Sequence, residues 1–272
     1  MERKINIVLR CAIFFLLLSA FFCLPSDRAM ASDLLKDNKN GVLTISYENK
    51  DNAKMKIAVT KGDKNYYYDL GKGKNSIDIP LTMGNGTYSI RICKNITGNK
   101  YSVIESQEFK LELQNEDEVY LHSNVIVNYD LDYAAITKAE QLTKDCKSEQ
   151  EKVEVIYNYV VKNFNYDYEK LEDLQSGYIP DIKIIYKNKK GICYDISAVI
   201  ASMLRSQGVH VRLVTGYTPN ISVYHAWNVI YDSKKNKWYT VDATYDIGKR
   251  AAKKKYSMVK KASEYKDILY QY

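Results

Sequence analysis

The sequence predicts an α+β fold in two parts, an all-β module over residues 32–115 and a larger helix-then-strand domain over residues 119–272. Three observations predict it. Short runs of alternating apolar and polar residues, separated by Gly- and Asn-containing turns, fill the first part. Apolar spacing then changes to the 3.6-residue period of helices from about residue 133. Three strand-like runs follow between residues 209 and 244. With 272 residues, 46% hydrophobic and 27% charged, the chain suffices for one large domain or two smaller ones. Four prolines and twelve glycines argue against a collagen-like or long disordered region.

A targeting segment is expected first. Arg3, Lys4 and Arg10 flank an apolar run at residues 11–24, and Ala29-Met30-Ala31 has the A-x-A form of a cleavage site. The run is shorter than the roughly 20 residues of a membrane-spanning helix, so a cleaved leader over residues 1–31 and a secreted or cell-surface protein are expected. Cys23 makes a poor lipidation site because Phe22 stands where a small residue is needed. Loss of the leader removes four cations and two anions, and the formal charge of +7 falls to +5. That excess serves solubility or a weak attraction to anionic cell-wall polymers. No aromatic-interleaved basic motif points to nucleic acid. Of five cysteines, Cys93, Cys146 and Cys193 remain, and an odd number leaves at least one thiol free. Cys93 and Cys146 either pair or stay as buried thiols.

In the first part, residues 43–47, 55–59, 88–92 and 109–113 alternate as strands, with turns at 61–63, 71–75 and 84–86. Such spacing suggests a small antiparallel sandwich of immunoglobulin-like or fibronectin-like type. Most of the 25 tyrosines are expected as half-buried sheet residues. Residues 114–118 are acidic and polar, a linker. Helices are predicted over 133–146 and 148–164, the second with Val153, Ile156, Tyr157, Val160 and Val161 on one face and Ser148 with Glu151 as a capping box. Residues 165–190 read as loop.

Cys193 opens a third helix whose buried face is Ile196, Val199, Ile200, Met203 and Leu204, ended by Gly208. The partial positive charge of a helix start favours thiolate, and the free backbone amides there can bind an oxyanion. Gly191 would let a substrate carbonyl approach the backbone closely. Two strand-like runs, 224–231 and 237–244, then bring His225 and Asp242 together as expected cross-strand neighbours. A base and its orienting carboxylate need that proximity: imidazole takes the thiol proton and the carboxylate fixes its tautomer. Trp227 shares a face with His225 and either walls an acyl pocket or packs into the core. His122 and His210 read as structural, and Asp195 as a helix-terminus charge. Cys193, His225 and Asp242 lack the short ligand spacing of zinc sites, so neither metal nor cofactor is expected.

Gly191-x-Cys193 at a helix start, His225-Ala226-Trp227-Asn228-Val229 on a strand and Val241-Asp242-Ala243-Thr244 on the next resemble the transglutaminase-like superfamily. Residues 148–168 and Gly208-Val209-His210-Val211-Arg212 are similar to it as well, so the resemblance covers about residues 119–246. It implies a papain-like core, in which the Cys-bearing helix packs on an antiparallel sheet, and a triad of Cys193, His225 and Asp242. The activity implied is acyl transfer from a protein or peptide amide, as transglutaminase or as amidase or protease, with cell-wall peptide among the substrates export would allow. The alternative from another class is a non-catalytic surface-binding module with a degenerate transglutaminase-like domain.

Overall fold

The computed structural model describes the backbone of Cys23–Leu24 and residues 34–272; the leader expected over residues 1–31 lies almost wholly outside them. The chain divides into two compact units at the step from Val119 to Tyr120.

The first unit is all β. Strand β1 is Cys23–Leu24, β2 Leu35–Asp37, β3 Val42–Asn49, β4 Met55–Lys61, β5 Lys64–Leu70, β6 Gly73–Pro80, β7 Gly86–Thr97 and β8 Lys100–Leu111. They form a five-stranded sheet, order β1-β8-β7-β4-β5, and a three-stranded sheet, order β2-β3-β6. All pairings are antiparallel except β1 with β8. Both sheets contribute to the core: Leu43, Ile45 and Ile79 from the smaller, Ile57, Tyr88, Ile90 and Ile92 from the larger, all fully buried. Each such side chain contributes about 1.5–3 kcal/mol relative to exposure. Tyr88 also closes the turn after β6, its hydroxyl donating to Gly84 O at 2.7 Å and accepting from Met83 N at 3.1 Å. Several boundaries differ from expectation: the strand expected over 109–113 is the end of the longer β8. β6 begins inside the predicted 71–75 turn, and the tyrosine-rich β5, with Tyr66 and Tyr68 buried, adds a strand the alternation did not single out.

The second unit is mixed, as the α+β expectation requires. Helix α1 is Ala134–Thr143, α2 Glu149–Asn163, α3 Tyr168–Glu172, α4 Ile182–Asn188, α5 Cys193–Arg205 and α6 Ala243–Ala251. Strands β9 (Asn165–Tyr166) and β10 (Lys190–Gly191) pair in parallel. The main sheet, β11 Val211–Thr218, β12 Ile221–Asp232, β13 Lys237–Val241, β14 Val259–Lys260 and β15 Asp267–Gln271, is antiparallel with order β14-β13-β12-β11-β15.

α2 buries the five residues its period marked. Ser148 Oγ accepts from Glu151 N at 3.3 Å, but Glu151 Oε2 accepts from Lys147 N at 2.7 Å, so the expected reciprocal capping box is shifted by one residue. The stretch read as loop, residues 165–190, instead holds α3 and α4. Asp167 and Asp181 cap them, accepting from Lys170 N and Ile184 N, each at 3.1 Å. α3 buries no residue, which is why apolar periodicity missed it.

α5 is the centre of the unit. Every residue from Asp195 to Arg205 is buried, so the helix is surrounded rather than one-faced. Arg205 ends it inside the core, where its guanidinium donates to Val211 O, His122 O and Tyr272 O at 2.7–3.0 Å. Burial lowers its pKa to about 10, which leaves it charged at neutral pH. A buried charge is tolerated here because carbonyl oxygens replace its water.

Candidate active site

Cys193 occupies the first position of α5, and its side chain is half-buried. Backbone amides of a first helical turn have no intrahelical acceptor, so the Cys193 thiol and potential anion donors share one turn. Asp195 holds that turn in place. Its fully buried carboxylate accepts from Ile192 N at 3.0 Å, Lys170 Nζ at 2.6 Å and Tyr178 Oη at 2.5 Å. The helix-terminus reading of Asp195 describes this cap. Gly191 also serves the same cap. A Cβ there would lie 2.7 Å from Asp195 Cβ and 3.0 Å from Oδ2, so a side chain would displace the carboxylate.

His225 lies on β12, 3% exposed, and Asn228 on the same strand donates to Ser197 O of α5 at 3.0 Å. That bond ties the histidine's strand to the cysteine's helix. His225 Nε2 stands 2.8 Å from Asp242 Oδ2, with the carboxylate fully buried.

The cross-strand placement expected for this pair is corrected. β13 pairs with β12 only up to Val241 opposite Asn228, whereas His225 pairs with Gly216 of β11. Asp242 follows the end of β13 and is the N-cap of α6, accepting from Tyr245 N at 2.9 Å through Oδ1. Ala243 and Thr244, expected as strand, begin the helix because the cap satisfies one of its free amides. Its two oxygens therefore divide the work, Oδ1 starting a helix and Oδ2 facing the imidazole.

The electrostatics follow from this geometry. Burial opposes a charged His225, but the Asp242 charge and hydrogen bond outweigh it, with a further contribution from the Cys193 side chain, and push the imidazole pKa up to about 10. Burial likewise opposes the Asp242 carboxylate, yet His225, the Tyr245 amide and Tyr265 together hold its pKa below the usual range. With Nε2 committed to Asp242, Nδ1 is the ring nitrogen left to face the thiol.

Trp227, for which two roles were open, is a core residue. It is fully buried, clusters with Val214 and Tyr265, and stacks on the His225 ring at 6.2 Å. Its indole N–H has no hydrogen-bond partner among the described residues. His210 packs edge-on against Tyr231 at 5.9 Å. Cys146 and Cys193 are free thiols, and Cys93 is buried in the first unit. Among the described residues no cluster of three or more His, Cys, Asp or Glu is placed to hold a metal ion, and no helix is long and apolar enough to cross a membrane.

Two residues near the site escaped the sequence reading. Tyr265 Oη donates to Asp242 Oδ2 at 2.9 Å, and Lys260 Nζ lies 2.6 Å from both oxygens of the fully buried Asp246, one turn along α6. Neither stands in a motif; both arrive from a segment distant in sequence.

Comparison with known proteins bears on the same region. Residues 136–243 match the model of the transglutaminase-like superfamily core. The Bacillus subtilis (strain 168) "Uncharacterized protein YebA" is 24% identical over 161 residues, 53% of this chain and 22% of that protein's own length. Among solved structures, one described as a TGase is 24% identical with a TM-score of 0.32, covering 40% of this chain and 29% of that one. The periplasmic domain of TgpA from Pseudomonas aeruginosa, bound to ethylmercury, is 13% identical with a TM-score of 0.40, covering 77% of this chain and 74% of that one. Residues 136–243, which carry Cys193, His225 and Asp242, are thus a transglutaminase-like domain.

Proposed function

We propose that residues 119–272 form a cysteine-dependent acyl-transfer enzyme that opens a protein or peptide amide through a thioester on Cys193. One observation carries the reading: the buried 2.8 Å contact between His225 Nε2 and Asp242 Oδ2, next to a cysteine in the first turn of a helix. In the first half-reaction the Cys193 thiolate attacks the amide carbonyl carbon. First-turn amides receive the negative charge that develops on the carbonyl oxygen. As the C–N bond breaks, the His225 imidazolium gives its proton to the departing amine, leaving a thioester and neutral imidazole. In the second half-reaction imidazole takes a proton from water or from a second amine, which attacks the thioester carbon; the C–S bond breaks and the thiolate and imidazolium are restored. Water yields a carboxylic acid, the outcome of an amidase or protease. An amine yields a new amide, the outcome of a transglutaminase. Asp242 orients the ring throughout and stabilises its protonated form.

The N-terminal leader motif supports export, and with it an extracytoplasmic substrate such as a cell-wall stem peptide or a neighbouring surface protein. The all-β unit, reading as an immunoglobulin-like module, then acts as spacer or binding part, and the net positive charge favours anionic wall polymers. Incubating the whole chain with a glutamine-containing acyl donor and a fluorescent primary amine separates the outcomes. Incorporation that disappears in Cys193→Ala establishes transfer to amines. Donor hydrolysis without incorporation, likewise lost in Cys193→Ala, establishes the hydrolase. Equal behaviour of wild type and Cys193→Ala toward a broad set of amide donors sinks the enzyme reading.

A further inference from the structure

We propose that Tyr265 is a positioning residue of the Cys193, His225 and Asp242 site, delivered by a C-terminal segment outside the transglutaminase-like match, and that its hydroxyl moderates the basicity of His225 through Asp242. The inference rests on the acyl-transfer reading above. It starts from the path of residues 257–272. β14 pairs with β13 at the residues just before Asp242, Lys260 opposite Thr240 and Val259 opposite Val241. β15 pairs with β11 on the far edge of the same sheet, where Ile268 lies opposite Gly216. The segment therefore crosses from one edge of the five-stranded sheet to the other, and Tyr265 is in the crossing, buried to 3% exposure.

Both ends of the crossing are shaped for it. Gly216, the partner of His225 on β11, has no room for a side chain: a Cβ would stand 1.9 Å from Asp267 O. At the other end Lys260 neutralises Asp246, which Tyr157 Oη also meets at 2.5 Å. Without that lysine two buried carboxylates, Asp242 and Asp246, would face each other one helical turn apart with reduced compensation.

Tyr265 reaches the site by two routes. Its hydroxyl donates to Asp242 Oδ2, the same oxygen that faces His225 Nε2. Its ring meets Trp227 edge-on at 5.2 Å, and Trp227 stacks on the His225 ring. The groups facing this cluster are Cys193 and Asp242 around His225, with Tyr265 and the Tyr245 amide around Asp242, and Asp246 with Lys260 and Tyr157 beyond them. A hydroxyl proton pointed at Oδ2 places positive charge on the far side of the carboxylate from the imidazole. It offsets part of the field that favours imidazolium, and it limits rotation of the carboxylate. Tyr265 does not touch a reacting atom; it acts through Asp242.

The test needs no knowledge of the substrate. Iodoacetamide alkylation of Cys193 in the whole chain is followed against pH, with the Cys193 peptide read by mass spectrometry so that Cys93 and Cys146 do not contribute. In wild type, reactivity should be high at neutral pH, where the imidazolium is present, and change again as His225 deprotonates. Tyr265→Phe should move the His225 limb up by on the order of half a pH unit. Gly216→Ala leaves the tyrosine in the chain but obstructs β15, and should move the limb in the same direction. A Tyr265→Phe profile superimposable on wild type overturns the proposal, whatever its melting temperature. So does a folded Gly216→Ala protein with the wild-type profile. If wild-type Cys193 itself shows one rise near the free-thiol pKa of about 8.5, the acyl-transfer reading fails, and this inference with it.

Discussion

Buried polar side chains are divided unequally between the two units. Among the described residues up to Val119, Asn49 alone joins the apolar core as a buried polar residue, and it bonds to Ala53 O and Gly71 O across a turn. From Tyr120 onward the buried set includes Asp195, Arg205, His225, Asn228, Asp242 and Asp246. An unpaired charge in a low-dielectric interior costs several kcal/mol, and the two units meet that rule differently. The first unit meets it by placing no charged residue, among those described, wholly in its core. The second meets it by matching each charge to a partner: Asp195 to Lys170 and Tyr178, Arg205 to four carbonyl bonds, Asp242 to His225 and Tyr265, Asp246 to Lys260 and Tyr157. Burial on that scale adds little net stability over an apolar core.

The sharpest way to break this contrast is to remove the charge from Asp242. Asp242→Asn keeps the shape but loses the carboxylate that holds His225 protonated. Cys193 alkylation at neutral pH should fall by on the order of 10²–10⁴-fold, the range set by losing a general base or its orienting partner. A rate within about threefold of wild type would show that the buried pair serves packing alone.

A paired substitution compares the units on stability. Asp195→Ala leaves Lys170, Tyr178 and the Ile192 amide without their shared acceptor, and should cost about 3–5 kcal/mol in urea unfolding, together with lost Cys193 reactivity. Ile90→Ala in the first unit should cost about 2–5 kcal/mol through its cavity, yet leave the alkylation profile of Cys193 unchanged. If Ile90→Ala changed that profile, the chemistry would not belong to the second unit alone.

The smallest expected effect is on pH dependence. The folded pKa of His225 is raised above its unfolded value of about 6.5, so its contribution is complete below that pH and lost as pH rises toward about 10. Asp242 is depressed in the folded state, so its contribution is present above about pH 4 and lost as pH falls through its lowered pKa. The pair therefore stabilises most between about pH 4 and 6.5. The difference in unfolding free energy between wild type and the His225→Gln, Asp242→Asn double variant should be largest there and decline toward pH 10. A difference that is flat from pH 5 to 10 would remove the ion pair from the account.

The sequence by itself determined whatever depends on local order and period. Alternating strands, the apolar face of α2, the placement of Cys193 at a helix start and the order of Cys193, His225 and Asp242 all come from residues near one another in the chain. Short elements fixed by caps, such as α3 and α4, left no periodic trace, and Asp242 read as a strand residue because its capping role depends on where the chain turns next. The tertiary structure alone decided what meets Asp242 besides His225 and what packs against Gly191 and Gly216. Tyr265 lies 23 residues beyond its carboxylate partner, and the Cβ contacts that forbid a side chain at Gly216 come from residues some fifty positions away. Hydrogen bonds and close backbone approaches act over a few ångströms of space, whatever the separation along the chain. The order of Cys193, His225 and Asp242 can therefore be read from motifs, while the groups that orient them become visible only when the sheet is assembled.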